Sequence, residues 1–149
     1  MAELTVTHRY PFPAERVFDA WLDPRIARRF LFTTPEGEVV RCDIDARVGG
    51  RFTIVDRRPP GDEHMAEGGD IEHVGEYLEI DRPRRLVFTF GVPQFDPTMT
   101  KVTVQVAPEG DGCVLTLTHG DVPPEWVEQD REGWTKILAE LEGALQLAG

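Results

Sequence analysis

Cysteine is scarce in this sequence, which has only Cys42 and Cys113 among its 149 residues. Both lie inside apolar runs, and their spacing forms neither a CxxC pair nor a dense disulfide framework. This usage is typical of buried free thiols, so we expect no disulfide.

Basic residues are also few, with 16 lysines and arginines against 27 acidic residues and a net charge of −11 at pH 7. An acidic surface repels phosphate backbones and anionic lipids, so we expect neither nucleic acid nor a membrane as a partner. No stretch approaches the roughly 18 consecutive apolar residues of a membrane helix, and the first residues do not resemble a secretory signal. We therefore expect a cytoplasmic protein.

The signature motifs of common enzyme classes are absent as well, since the chain contains no GxSxG, HExxH, GxGxxG or GxxxxGK[ST]. The sequence therefore predicts no cofactor. An acidic, histidine-bearing cluster does occur, and it consists of His64, Glu67, Asp70, Glu72 and His73. Its spacing fits no zinc signature, so we expect a solvated loop and no metal site.

The composition that remains, with 40% hydrophobic and 29% charged residues, is typical of one folded domain over residues 1–149. Alternating apolar and polar residues predict a first strand that ends at Pro11. One face of this strand carries Leu4, Val6, His8 and Tyr10. Two short helices are predicted next, the first beginning near Pro13 and the second capped by Asp23.

Six further strands are predicted in the middle of the chain, at 39–44, 51–55, 71–80, 84–90, 102–106 and 113–119. The polar stretch 56–70 indicates a long loop or an irregular hairpin tip, and 91–97 breaks the strand pattern again. On strand 71–80 either face can point inward, and one of the two faces carries His73 and Tyr77. This part of the chain is therefore predicted to be an antiparallel meander.

The longest helix is predicted from about Glu125 to Leu147, a length of roughly 33 Å. Its apolar stripe consists of Trp134, Ile137, Leu138, Leu141 and Leu145. Gly133 costs up to about 1 kcal/mol inside a helix, and we expect close packing against the sheet to explain it. The order of elements predicts an α+β fold, in which helices cover one face of an antiparallel sheet.

Four segments resemble successive motifs of one family. They are VFDAWLDPRIARRF (17–30), GGRF (49–52), GEYLEIDRPRRLVFTF (75–90) and EGWTKILAEL (132–141). In this order they resemble the homologues of the heat-shock-protein-90 ATPase activator C-terminal domain, within the START-like or SRPBCC superfamily. The resemblance implies a helix-grip, Bet v 1-like fold. In that fold a curved antiparallel sheet of about seven strands wraps around the long C-terminal helix and leaves an apolar cavity.

A curved sheet cannot contact a straight helix along its whole length, so the gap must hold side chains, water or a ligand. The candidates for lining this gap are His8, Tyr10, Phe30, Phe32, Phe52, Tyr77, Phe88, Phe90, Phe95, His119, Trp134 and Leu138. The aromatic residues among them could equally be ordinary core. Phe95 differs because it lies in a polar, proline-flanked segment, where we expect it to fold over the cavity mouth.

The candidate catalytic residues are His8 and His119, which share predicted inward faces with apolar residues near strand ends. A buried neutral histidine both donates and accepts hydrogen bonds at pH 7, so each could orient a ligand or act as a base. The alternative, which we favour, is that each histidine satisfies a neighbouring backbone group or reaches solvent.

Three functions stay open at this point. The first is a binding protein for an apolar or aromatic small molecule, with His8, Tyr10 and His119 as polar anchors. The second is a cyclase, dehydratase or hydrolase that uses a cavity histidine as general acid–base, and the third is a chaperone-binding module. Relatives with this architecture include binding proteins, sequestering resistance proteins and polyketide cyclases, so fold alone does not choose among them. A homodimer through an exposed sheet edge also stays open.

Overall fold

The computed structural model describes residues 1–34, 36–62 and 65–147, and this part of the chain forms one antiparallel sheet and three α-helices. The strands are β1 (Ala2–Tyr10), β2 (Glu38–Ile44), β3 (Arg51–Arg58), β4 (Gly69–Asp81), β5 (Arg85–Val92), β6 (Asp96–Glu109) and β7 (Gly112–Val122). The helices are α1 (Ala14–Ala20), α2 (Pro24–Ala27) and α3 (Val127–Leu147), with one 3₁₀ turn at Pro124–Trp126 before α3. None of these helices combines the length and apolar character that crossing a bilayer requires.

The seven strands lie in the order β1-β7-β6-β5-β4-β3-β2, and every neighbouring pair is antiparallel. Strands β2 to β7 are therefore a meander of hairpins, as the alternation predicted. The connection from β1 to β2 passes from one edge of the sheet to the other, and it contains α1 and α2. The curved sheet and the long C-terminal helix confirm the predicted α+β helix-grip fold.

Local sequence signals account for the helices. Asp23 caps α2 as predicted, because its side chain accepts a hydrogen bond from the backbone nitrogen of Arg25 at 3.0 Å and Pro24 occupies the first helical position. The buried stripe of α3 consists of Trp134, Leu138, Leu141, Ala144 and Leu145. Burying one leucine of this stripe contributes about 1.5–3 kcal/mol, which holds α3 against the sheet and α1.

Two predicted irregular segments are shorter than expected. Strand β3 continues to Arg58 and β4 begins at Gly69, because the ladder pairs Asp56 with Ile71 and Arg58 with Gly69. The prediction of a long loop or an irregular hairpin tip over 56–70 was wrong at both ends, because both strands extend into this polar stretch. Likewise β5 and β6 extend into the segment 91–97, and only a short turn separates them.

The space around Gly75 and around Gly133 shows whether either position requires a glycine. A Cβ on Gly75 would overlap the ring of Phe52 and the carbonyl oxygen of Thr89, so this glycine makes room for an aromatic ring on the concave face. A Cβ on Gly133 would meet no described atom within 4 Å. The expectation that Gly133 allows close packing of α3 against the sheet was therefore wrong.

Candidate ligand-binding site

A small apolar cavity lies between the concave face of the sheet and the segment that contains α1 and α2. It is lined by Trp21, Leu31, Phe32, Phe52, Ile54, Tyr77, Leu86 and Phe88. Its volume is about 10 Å³, which is room for about one water molecule. In this conformation the aromatic side chains therefore fill most of the gap that the curvature of the sheet creates.

One residue that lines this cavity carries a buried hydrogen-bond donor. Trp21, at the C-terminal end of α1, is only 2% exposed, and its Nε1 has no hydrogen-bond partner among the residues that the structure describes. The ring packs edge-on against Phe30, with 5.3 Å between the ring centroids. A buried N–H group without an acceptor costs about 1–3 kcal/mol, so an acceptor atom placed at Trp21 is stabilising.

Three nearly parallel aromatic rings pack together beside the cavity. The ring of Phe32 lies 4.2 Å from that of His73 and 5.0 Å from that of Phe90, and the planes differ by 3° and 6°. Trp134 of α3 meets both phenylalanine rings edge-on, at 6.0 and 6.1 Å. His73 and Tyr77 are buried on the inward face of β4, which decides the alternative that the sequence left open for this strand.

His73 is held as a neutral ring. Its Nδ1 lies 3.1 Å from the carbonyl oxygen of Ile54, and because a carbonyl can only accept, Nδ1 carries the proton and Nε2 has the lone pair. Burial, together with the nearby charge of Arg58, lowers the pKa of His73 to about 4. His73 is therefore uncharged at neutral pH.

A buried ion pair lies next to His73 at the end of β3. Asp56 is fully buried, and its Oδ2 accepts a hydrogen bond from Nε of Arg58, whose other end reaches Asp62 at 3.2 Å. The second oxygen of Asp56 has no hydrogen bond within the described chain, and its distance to Nδ1 of His73 is 3.7 Å. Burial raises the pKa of Asp56, although Arg58 opposes this effect.

His119 has hydrogen bonds at both ring nitrogens. The indole Nε1 of Trp134 donates to Nδ1 at 2.9 Å, so the ring proton lies on Nε2 and is donated to Oγ1 of Thr100 at 2.6 Å. Thr100 in turn donates to the carbonyl oxygen of Phe90 at 2.9 Å. Burial lowers the pKa of His119 to about 4 and raises that of Asp130, 3.7 Å from Nδ1, to about 6.

The other predicted polar anchors contact α3. Nε2 of His8 lies 3.1 Å from a carboxylate oxygen of Glu142, and the hydroxyl of Tyr10 donates to the carbonyl oxygen of Leu138 at 2.7 Å. Burial raises the pKa of Tyr10. These groups fasten β1 to α3, and none of them lines the apolar cavity.

The predicted lining residues therefore separate into groups. Phe32, Phe52, Tyr77 and Phe88 line the cavity, while Phe30, Phe90, His119 and Trp134 pack in the aromatic cluster beside it. Phe95 is 55% exposed in the turn between β5 and β6, so the structure does not place it over the cavity. Within residues 1–34, 36–62 and 65–147 no group of three His, Cys, Asp or Glu side chains is placed to hold a metal ion, and His64 lies outside the described residues.

Sequence reasoning missed Trp21 and Asp56. Trp21 lies in the motif 17–30, and nothing in that motif shows that an indole nitrogen lacks an acceptor. Asp56 was assigned to a loop. The signal that could have found it is the alternation of Phe52 and Ile54, which continues through Asp56 with the period of a strand.

Solved structures with the same architecture come from several bacteria. CV1439 from Chromobacterium violaceum is 24% identical over 96% of each chain, with a TM-score of 0.78. NE0264 from Nitrosomonas europaea is 21% identical over 99% of this chain and 96% of its own, with a TM-score of 0.80. The AHSA1-like protein from Aeromonas hydrophila is 24% identical over 99% of this chain and 94% of its own, with a TM-score of 0.78. At these identities the likeness shows the fold alone.

Family membership rests on a different comparison. No functionally curated protein matches the chain. The model of the family described as Activator of Hsp90 ATPase homolog 1-like protein matches residues 11–146, a range that begins after β1 and ends within α3. The chain therefore belongs to the family of activator of Hsp90 ATPase homolog 1-like proteins, within the SRPBCC superfamily.

Proposed function

We propose that this protein binds a small apolar molecule between its curved sheet and its helices, and that the molecule presents an acceptor atom to Nε1 of Trp21. The observation that carries the proposal is a buried donor without a protein acceptor on a residue that lines an apolar cavity. An oxygen or nitrogen acceptor on an otherwise apolar ligand satisfies both features. Aromatic ligands are favoured because aromatic rings supply most of the lining.

Binding of such a ligand requires side chains to move. A cavity of about 10 Å³ accommodates one water molecule and no larger compound. The ligand therefore takes the place of one or more of the rings that now fill the gap. Because an apolar ring then replaces another apolar ring, the exchange removes little hydrophobic burial.

The enzymatic alternative receives less support from the histidines. Both nitrogens of His119 are in hydrogen bonds, so His119 cannot take a proton at Nδ1 without losing its bond to Trp134. The Nε2 atom of His8 faces Glu142 of α3 and lies apart from the cavity. Interaction with a chaperone is supported by the family description alone, and a pull-down with purified Hsp90 tests it.

Thermal unfolding against a panel of apolar and aromatic compounds tests the proposal. A ligand at a hundred times its Kd stabilises the folded protein by about 2.7 kcal/mol, which raises Tm in a concentration-dependent way. The pair 2-naphthol and naphthalene then examines the role of Trp21, because only the former has an oxygen acceptor.

The variant Trp21→Phe keeps an aromatic ring and removes the donor. We expect about three- to tenfold weaker binding of 2-naphthol to this variant. Binding of naphthalene serves as the control for the change in ring size, and its affinity should fall less. A panel in which no compound raises Tm would contradict the proposed function. If Trp21→Phe lost the same affinity for 2-naphthol as for naphthalene, Trp21 would not be the donor to the ligand.

A further inference from the structure

Phe32 combines an unusual backbone with an unusual side-chain position. Its φ is 57°, in the left-handed region that a bulky residue rarely adopts, and the other described non-glycine residue with positive φ is Asp121. Its side chain is nevertheless buried, and its ring stacks on His73 and Phe90. The fold thus holds the backbone of Phe32 in an energetically costly conformation while its ring is buried between the sheet and the helices.

His73 and Phe90 form a flat surface, which we call the platform. The two rings come from neighbouring strands, their centroids are 6.0 Å apart, and their planes differ by 8°. If Phe32 were inserted between them, two stacking distances of about 3.5 Å would place their planes about 7 Å apart. The separation of 6.0 Å is smaller than that, so the rings lie side by side and Phe32 covers both of them.

We propose that the platform of His73 and Phe90 is the stacking site for a planar aromatic ligand, and that the ring of Phe32 occupies this site until the ligand displaces it. A fused-ring compound matches a surface made of two adjacent rings. Phe32 also lines the apolar cavity with Trp21, so its departure joins the platform to that cavity. This inference rests on the proposed function. It adds the class of ligand and identifies Phe32 as the side chain that the ligand displaces.

Calorimetric titration with 2-naphthol tests the inference on three folded proteins: wild type, Phe32→Ala and Phe18→Ala. Removing Phe32 removes the competitor for the platform, so we expect Phe32→Ala to bind 2-naphthol at least about tenfold more tightly than wild type. Phe18 is a fully buried ring of α1 that is not part of the stack. Phe18→Ala therefore controls for loss of an aromatic core residue, and we expect no comparable gain. Equal gains in both variants, or none in Phe32→Ala, would overturn the inference.

A second measurement follows the ring of Phe32 in the wild-type sequence. The chain has eight phenylalanines, which can be replaced by 4-fluorophenylalanine, and the variant Phe32→Leu assigns the fluorine signal of residue 32. Saturation with 2-naphthol should shift this signal more than the other seven. If the thermal assay shows that 2-naphthol binds while the signal of residue 32 stays unchanged, the proposed function stands and the displacement of Phe32 is refuted.

Discussion

The hydrogen bonds of His119 lead to a prediction that one pair of variants isolates. His119→Gln retains an oxygen that can accept from Trp134 and an amide that can donate to Thr100, but this amide does not titrate. His119→Leu introduces an apolar side chain that matches the apolar residues around it. This side chain leaves the indole donor of Trp134 without an acceptor. At pH 7 we expect His119→Leu to be less stable than His119→Gln by about 1–3 kcal/mol.

The dependence on pH follows from the lowered pKa of His119. Because this pKa falls from 6.5 to about 4 on folding, the unfolded chain takes up a proton between these values that the folded protein does not. The free energy of unfolding therefore decreases as the pH falls from about 6.5 towards 4. Between pH 7 and pH 5 this one residue accounts for a loss of about 2 kcal/mol.

Urea denaturation at pH 7 and pH 5, followed by far-ultraviolet circular dichroism, measures the effect. His73 titrates in wild type and variants alike, so its contribution cancels in the difference between proteins. Both His119→Gln and His119→Leu should gain about 2 kcal/mol relative to wild type on going to pH 5. If either difference is the same at both pH values, burial does not keep His119 neutral and the reasoning fails.

Two further predictions concern stability. Gly133→Ala should raise the free energy of unfolding by about 0.5–1 kcal/mol, because its Cβ enters open space, whereas Gly75→Ala should lower it because its Cβ meets Phe52. Urea titration of both variants checks this pair, and a destabilised Gly133→Ala would show that α3 needs the glycine. Arg58→Met should cost about 3–5 kcal/mol, since it leaves Asp56 buried without its cation. The double variant Asp56→Asn with Arg58→Met should recover part of that loss in the same assay, and no recovery would exclude the buried charge as the cause.

The predictions that held depend on short-range patterns. Leu4 and Tyr10 are buried on the face of β1 that the alternation indicated, and Asp23 caps α2 through its own side chain. A period of two and a capping residue are properties of neighbouring positions along the chain, so they can be seen without knowing the fold. The same holds for the motifs that identified the family.

The predictions that failed concern contacts between distant segments. Polar residues such as Asp56 and Arg58 were assigned to a loop, yet they lie in β3 because they neutralise each other where β3 meets β4. Packing against the sheet was invoked for Gly133, although a Cβ at this position would meet no described atom within 4 Å outside the adjacent backbone of its own helix. The alternation of Phe52 and Ile54 was a local sign of the strand, but the neutralisation of Asp56 by Arg58 and the open space around Gly133 depend on the fold.

By itself, the sequence determined the α+β layout and the order of strands and helices, because periodicity and capping are local, and four of its segments resemble the motifs of the family. The tertiary structure decided which face of β4 points inward, which atoms satisfy His119, and that Phe95 is exposed while Phe32 stacks on His73 and Phe90. Each of these depends on the relative placement of segments that are far apart in the chain. Hydrogen bonding and ring stacking act over a few ångströms, so they appear only when folding has brought those segments together.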